Sequence, residues 1–188
     1  MKPFIFRILY KLQILRLFPQ FYFHYEVKKY INRNDVVIDI GANWGCYTRI
    51  FSDLGAEVYA FEPINKFYQQ LRKIKNCWAL PFAVGDKKRL IKMEQWRNTS
   101  GAYRISDEGT IDGVMVSGNY YCENLPKINF IKIDVEGSEL PIIEDMAELI
   151  LKHKPTILIE TGKINEVLSY LPGYKIKDRM SNDYLIGV

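Results

Sequence analysis

Residues 36–62 constrain the fold of this chain more than any other stretch. An apolar run, Val36–Ile38 with Ile40, carries Asp39 and ends in a glycine-bearing turn, Gly41-Ala42-Asn43-Trp44-Gly45. A helical pattern follows over residues 46–54, with Tyr47, Ile50, Phe51 and Leu54 on one face and Gly55 placed to stop it. A second apolar run, Val58–Phe61, ends in Glu62. Near-continuous apolar strands belong to parallel sheets covered on both faces. This strand–helix–strand unit therefore reads as the start of an open parallel α/β sheet. Small residues in the turn let backbone approach a ligand. Glu62 lies 23 positions after Asp39, where a carboxylate accepts hydrogen bonds from an adenosine ribose. An adenosine-containing cofactor is expected.

The glycine spacing selects among such cofactors. A pyrophosphate asks for Gly-x-Gly-x-x-Gly opening a helix, and Gly41-x-Asn43-x-Gly45 breaks that pattern. Asp39 near the strand tip would repel phosphate and suits a cation. S-adenosylmethionine (SAM), with its sulfonium and ammonium and no phosphate, fits better than NAD. The alternative is a turn whose glycines serve only tight packing.

At 188 residues the chain is long enough for one core and too short for two well-packed ones. A net charge of +4 allows a basic face but does not require one. Cys46, Cys77 and Cys122 are odd in number and widely spaced. They make neither a disulfide framework nor a zinc site, and fit a reducing, cytoplasmic setting. With His24 and His153 as the two histidines, a His-based metal site or Ser-His-Asp triad has little material. Residues 1–30 read as a separate amphipathic helical segment, with Phe4, Ile8, Leu12 and Leu15 on one face and Arg7, Lys11 and Arg16 interrupting the apolar run. No charge-free run is long enough to span a membrane. The segment covers the sheet edge or the cofactor pocket, or else lies on a membrane surface as a peripheral contact.

Further along, a helix is expected over 64–74, a strand over 78–84 interrupted by Pro81, and an exposed strand over 89–95. Residues 97–126 show little periodicity and read as a long functional loop. Asn129–Asp134 reads as the next buried strand. Glu139–Leu151 follows as a helix with Leu140, Ile143, Ala147 and Ile150 inward, then a strand over 155–160 and a short helix over 164–171. Residues 174–177 and 184–188 form a closing antiparallel hairpin. The fold class is thus α/β, a three-layer α/β/α sandwich over residues 31–188.

Ligands of open α/β sheets lie beyond the carboxyl ends of the strands. Asp39, Glu62, Asp134 and Glu160 are expected there, with Glu136 and Glu139 close by. Such an acidic rim asks for a cationic ligand, proton transfer or a divalent ion. The plainer explanation for each acid is N-capping or pairing with Lys or Arg, and for Glu139, in a first helical turn, the helix-dipole role leads.

Several segments together resemble the FkbM family of SAM-dependent methyltransferases. They are Val37-Ile-Asp-Ile-Gly-Ala-Asn43, Ala60-Phe-Glu-Pro63, Ala83-Val-Gly-Asp86, Ile131-Lys-Ile-Asp-Val-Glu-Gly-Ser-Glu139 and Leu158-Ile-Glu160. The resemblance implies the class I methyltransferase fold, with sheet order 3-2-1-4-5 extended by the C-terminal hairpin. It implies that Asp39, Gly41, Asn43 and Gly45 line the methionine part of SAM and that Glu62 holds the ribose hydroxyls. Asp86 would meet the adenine edge, and Asp134 would stand at the sulfonium end. It implies O-methylation of a hydroxyl on a sugar, glycan or other small natural product. An alcohol is poorly acidic, so Asp134 with Glu136 or Glu160 are the candidate catalytic bases. The same three carboxylates could hold a divalent ion, Mg²⁺ or Mn²⁺, the less favoured alternative. A nucleic-acid methyltransferase is the runner-up, since Lys87, Lys88, Arg89, Lys92, Arg97 and Arg104 cluster near Trp96 and Tyr103. The small net charge disfavours it. A non-catalytic SAM-binding or membrane-surface scaffold is the third reading.

Overall fold

The computed structural model describes Ile8, residues 22–96 and residues 102–188. In chain order come α1 (Tyr22–Glu26), β1 (Val36–Ile40), α2 (Cys46–Asp53), β2 (Glu57–Phe61), α3 (Asn65–Leu71) and β3 (Cys77–Leu80). Then follow β4 (Ala83–Gly85), β5 (Arg89–Gln95), β6 (Tyr103–Ile105), β7 (Ile111–Ser117) and α4 (Gly118–Cys122). The last part holds β8 (Phe130–Ile133), α5 (Glu139–His153), β9 (Thr156–Glu160), α6 (Ile164–Tyr170), β10 (Lys175–Met180) and β11 (Asp183–Gly187).

The apolar runs assemble a seven-stranded sheet in the order β3-β2-β1-β8-β9-β11-β10. Strands β3 to β9 are mutually parallel, and β11 and β10 add the antiparallel hairpin. Counting the parallel strands along the chain, this is the expected 3-2-1-4-5 order with its C-terminal extension. Alternate residues feed two cores. Ile38, Ile40, Ile131, Ile133, Ile157 and Ile159 meet Ile142, Ile143, Met146 and Ile150 of α5. Val37, Val58, Phe130 and Leu158 meet Phe23, Val27, Ile50 and Phe51 from α1, α2 and the turn after α1. Burying each such Ile or Phe contributes about 1.5–3 kcal/mol. The apolar α5 residues buried are Ile142, Ile143, Met146, Leu149 and Ile150, so the inward face is rotated from the expected one; Leu140 and Ala147 are half-buried.

Two expectations change. Residues 78–84 are not one strand: Pro81, lacking an N–H, separates β3 on the edge of the large sheet from β4 in another. The segment 97–126 is not one loop, since it holds β6, β7 and α4. A second, four-stranded sheet results, ordered β4-β7-β5-β6. Its strand β5 alternates as expected, with Ile91 and Met93 turned into a small third core with Ile64, Phe67, Ala83 and Met115. The amphipathic helix expected around Phe4–Leu15, and its membrane contact, lie outside the described residues apart from Ile8. No described helix is long and apolar enough to cross a membrane.

Candidate functional site

Where β1 leaves the sheet, three residues in succession at alternate positions take the left-handed backbone region: Gly41 (φ +74), Asn43 (φ +54) and Gly45 (φ +75). At Gly41 the glycine is obligatory, because a Cβ would sit 1.9 Å from the Asp134 carbonyl oxygen. The turn is therefore pressed directly on the end of β8. The Gly41 and Ala42 N–H groups both donate to the Phe61 carbonyl at 3.1 Å. Glu62, just beyond β2, accepts the Asn43 N–H at 2.8 Å through Oε2 and the Ile64 N–H at 2.8 Å through Oε1. Asn43, Glu62 and the start of α3 are thus held as one unit.

Above this unit opens a cavity of about 480 Å³, within the usual range for small-molecule sites. Gly41, Asn43, Glu62, Asp134, Glu136 and Glu160 line it, with Phe61, Phe82, Ala83 and Val84 as an apolar wall. The second sheet, with Ala102 directly before its strand β6, adds Met93, Ala102, Tyr103 and Ile105, and α1 and α2 add His24 and Tyr47. Three expected cofactor contacts are not on the wall. Asp39 is fully buried within β1, accepting the Thr48 hydroxyl at 2.6 Å and facing Lys132 Nζ at 3.4 Å. Gly45 turns toward Arg49 and Leu71, each 2.7 Å from where its Cβ would be. Asp86 is exposed and lies 3.7 Å from Lys87, beyond the point where β4 has left for the second sheet.

The acids that do reach the cavity influence one another. Burial pushes the Glu62 carboxyl up to about 7, against the two N–H groups and Lys132, which lower it. Glu160, at the exposed end of β9, is pushed up to about 8 by partial burial and then by the Asp134 and Asp183 charges. Asp183, opposite Glu160 in the β11–β9 register, rises to about 6 for the same reasons, with Lys132 opposing. Glu136 sits in the left-handed region at φ +57, in the turn leading to α5. Glu139, in the first turn of α5, accepts the Gly137 N–H at 2.8 Å. Among the described residues no group of three or more His, Cys, Asp or Glu side chains is arranged to hold a metal ion.

Lys132, within the Ile131–Glu139 motif, has a role that the sequence alone does not assign. It is 3% exposed and pairs in register with Asp39. Its Nζ donates to the Gly41 carbonyl at 2.7 Å and lies 3.4 Å from Asp134 Oδ2. Burial pulls the ammonium down, but Asp134 and Asp39 outweigh it and its pKa ends above the usual value. A lysine inside a four-residue buried strand was the signal for it. Asp183 carried no such signal, because only strand pairing brings it to Glu160. His24, stacked on Tyr47 at 4.1 Å, is lowered to about 3 by burial, then by Lys132, and stays neutral.

The basic cluster near β5 neutralises much of itself. Lys92 meets Asp112 at 3.4 Å, and Arg104 meets Glu94 at 2.7 Å while covering the Trp96 ring at 3.4 Å. Tyr103 lines the cavity, and its hydroxyl accepts from Lys66 at 2.8 Å. Arg97 lies outside the described residues.

The chain is 31% identical over 121 residues to the hexuronic acid methyltransferase AglP of Haloferax volcanii, covering 60% of this chain and 50% of that protein. Its fold resembles an FkbM methyltransferase from Methylobacillus flagellatus KT, with a TM-score of 0.61 at 19% identity over 82% of this chain and 44% of that one. An rRNA methylase from Streptococcus thermophilus gives a TM-score of 0.50 at 13% identity, covering 90% and 94%. The chain thus spans about half the length of the first two relatives. The profile of the methyltransferase FkbM domain matches residues 39–176, most of the chain. This chain belongs to the FkbM methyltransferase family.

Proposed function

We propose that this chain is a SAM-dependent O-methyltransferase whose acceptor is a hydroxyl of a sugar or glycan. The carrying observation is the cavity itself, with a glycine turn tied to Glu62 on one side and two electrostatically coupled carboxyls, Asp134 and Glu160, on the other. The residues suit SAM. Glu62 keeps unused lone pairs on both oxygens for a ribose diol, Phe82, Ala83 and Val84 offer an apolar wall for a purine, and the acids offer negative charge to a cation. When bound, SAM supplies a methyl group made electrophilic by its sulfonium. The chain's own task is to hold the acceptor oxygen in line and to take its proton, for which Asp134, Glu136 and Glu160 are the candidates. Family membership supports methyl transfer, and the relative named for hexuronic acid supports a sugar acceptor.

Calorimetry with SAM, S-adenosylhomocysteine (SAH) and NAD tests the cofactor; binding of NAD alone would overturn the reading. Labelled SAM offered with uronic acids, neutral hexoses, nucleotide sugars and small alcohols tests the acceptor. Asp134→Asn should lower turnover by about 100-fold or more. An RNA titration at low salt, where phosphate contacts are strongest, separates this reading from the nucleic-acid one.

A further inference from the structure

Lys132 is the most constrained charged side chain that the proposed reaction leaves without a task. It stands in β8, a central strand covered by helices on both faces, where an apolar residue would carry no desolvation cost. Its Nζ has the Gly41 carbonyl oxygen at 2.7 Å, that of Ile40 at 3.4 Å, and one oxygen each of Asp39 and Asp134 at 3.4 Å. The two backbone carbonyls accept its hydrogen bonds, and the two carboxylates face it as ion pairs. Asp39 is anchored from its other side by the Thr48 hydroxyl. The anchor is therefore fixed, and the Gly41 turn it grips is itself in contact with the Asp134 backbone.

Two carboxylates share one ammonium in this trio. The Asp39 side chain is fully buried, whereas that of Asp134 is 38% exposed and lines the cavity. The surplus negative charge is thus presented by Asp134. We propose that Lys132 is a positioning residue that fixes the Asp134 carboxylate against the Gly41 turn, so that the cavity favours a cationic sulfonium ligand over the corresponding neutral thioether. The inference rests on the SAM reading above and adds a means of discriminating donor from spent product.

The test is the ratio of SAM to SAH affinity, measured by calorimetry on the full chain. Wild type should prefer SAM by about tenfold or more, a difference calorimetry resolves easily. Lys132→Met is combined with Asp39→Asn, which removes one charge of each sign and leaves an amide oxygen for the Thr48 hydroxyl. In this double variant the preference should fall to within about threefold while SAH affinity stays close to wild type. Adding Asp134→Asn should lower the preference by less than Asp134→Asn does in the wild type, because Lys132 acts through Asp134; a lysine of merely structural importance would give independent losses. Thermal melting checks that the double variant folds. If it does not, Asp134→Asn alone, which leaves Lys132 and Asp39 paired, must collapse the ratio. Retention of the wild-type preference in either variant, or equal wild-type affinity for SAM and SAH, overturns the inference alone. Failure of the wild type to bind either compound overturns the methyltransferase reading with it.

Discussion

At the scale of single residues, Glu62 illustrates how one carboxylate serves frame and ligand together. Each of its oxygens takes one backbone N–H, from Asn43 or Ile64, and each retains a second acceptor position. If those positions meet the ribose, Glu62→Ala should weaken SAM binding by about 1–3 kcal/mol in calorimetry. An unchanged affinity would remove Glu62 from the cofactor contacts. The acid was legible because it ends an apolar run at a telling distance from Asp39. Asp39 carried an equally visible signal, yet it turns into the α2 side of the sheet toward Thr48 and Lys132. Side-chain alternation along β1 decides this, and a strand tip displaced by one residue reverses it. Gly45 and Asp86 stay off the wall for reasons of backbone path, which no local pattern encodes.

Among the elements, α5 and the Gly41 turn make opposite statements about left-handed backbone. Helix α5 ends on Lys154 with φ +53 and ψ +49, a conformation glycine adopts without steric penalty. Lys154→Gly should raise stability by about 0.5–1 kcal/mol in chemical denaturation, the relieved strain exceeding the entropy that glycine loses. At Gly41 the reverse holds. Gly41→Ala would place a methyl group against the Asp134 carbonyl and should cost about 3 kcal/mol or more, visible as a lowered melting temperature. The large sheet and its helices were legible because their apolar runs are long and their stop signals clear. The second sheet was not, since β4 and β6 are three residues each and too short for a period to register. Long-range pairing makes those strands, and sequence neighbours do not announce it.

For the molecule as a whole, the raised carboxyls link folding to pH. Glu62 and Glu160 hold protons in the fold up to about 7 and about 8, above their usual 4.5. The folded state therefore binds more protons than the unfolded chain, and stability falls as pH rises through these values. His24, lowered to about 3, acts in the opposite sense only below its ordinary 6.5. Between pH 6.5 and 8 the ligand-free melting temperature should accordingly decline, and Glu62→Gln should make the decline shallower whatever it does to absolute stability. A melting temperature that rises across this window would refute the raised carboxyls. The second sheet has a consequence of another kind. Ala83 at its start pairs with Met115, and Ser117 at its end pairs with Gly85, so chain that departs the main sheet returns beside its point of departure. Such a closed excursion is a natural cassette. Its interior can lengthen, shorten or be grafted between homologues, at a loop-closure cost that grows only slowly with length. Because it supplies Met93, Tyr103 and Ile105 to the cavity, exchanging it would remodel one wall while the row of Asp39, Lys132, Asp134 and Glu160 stays inherited intact.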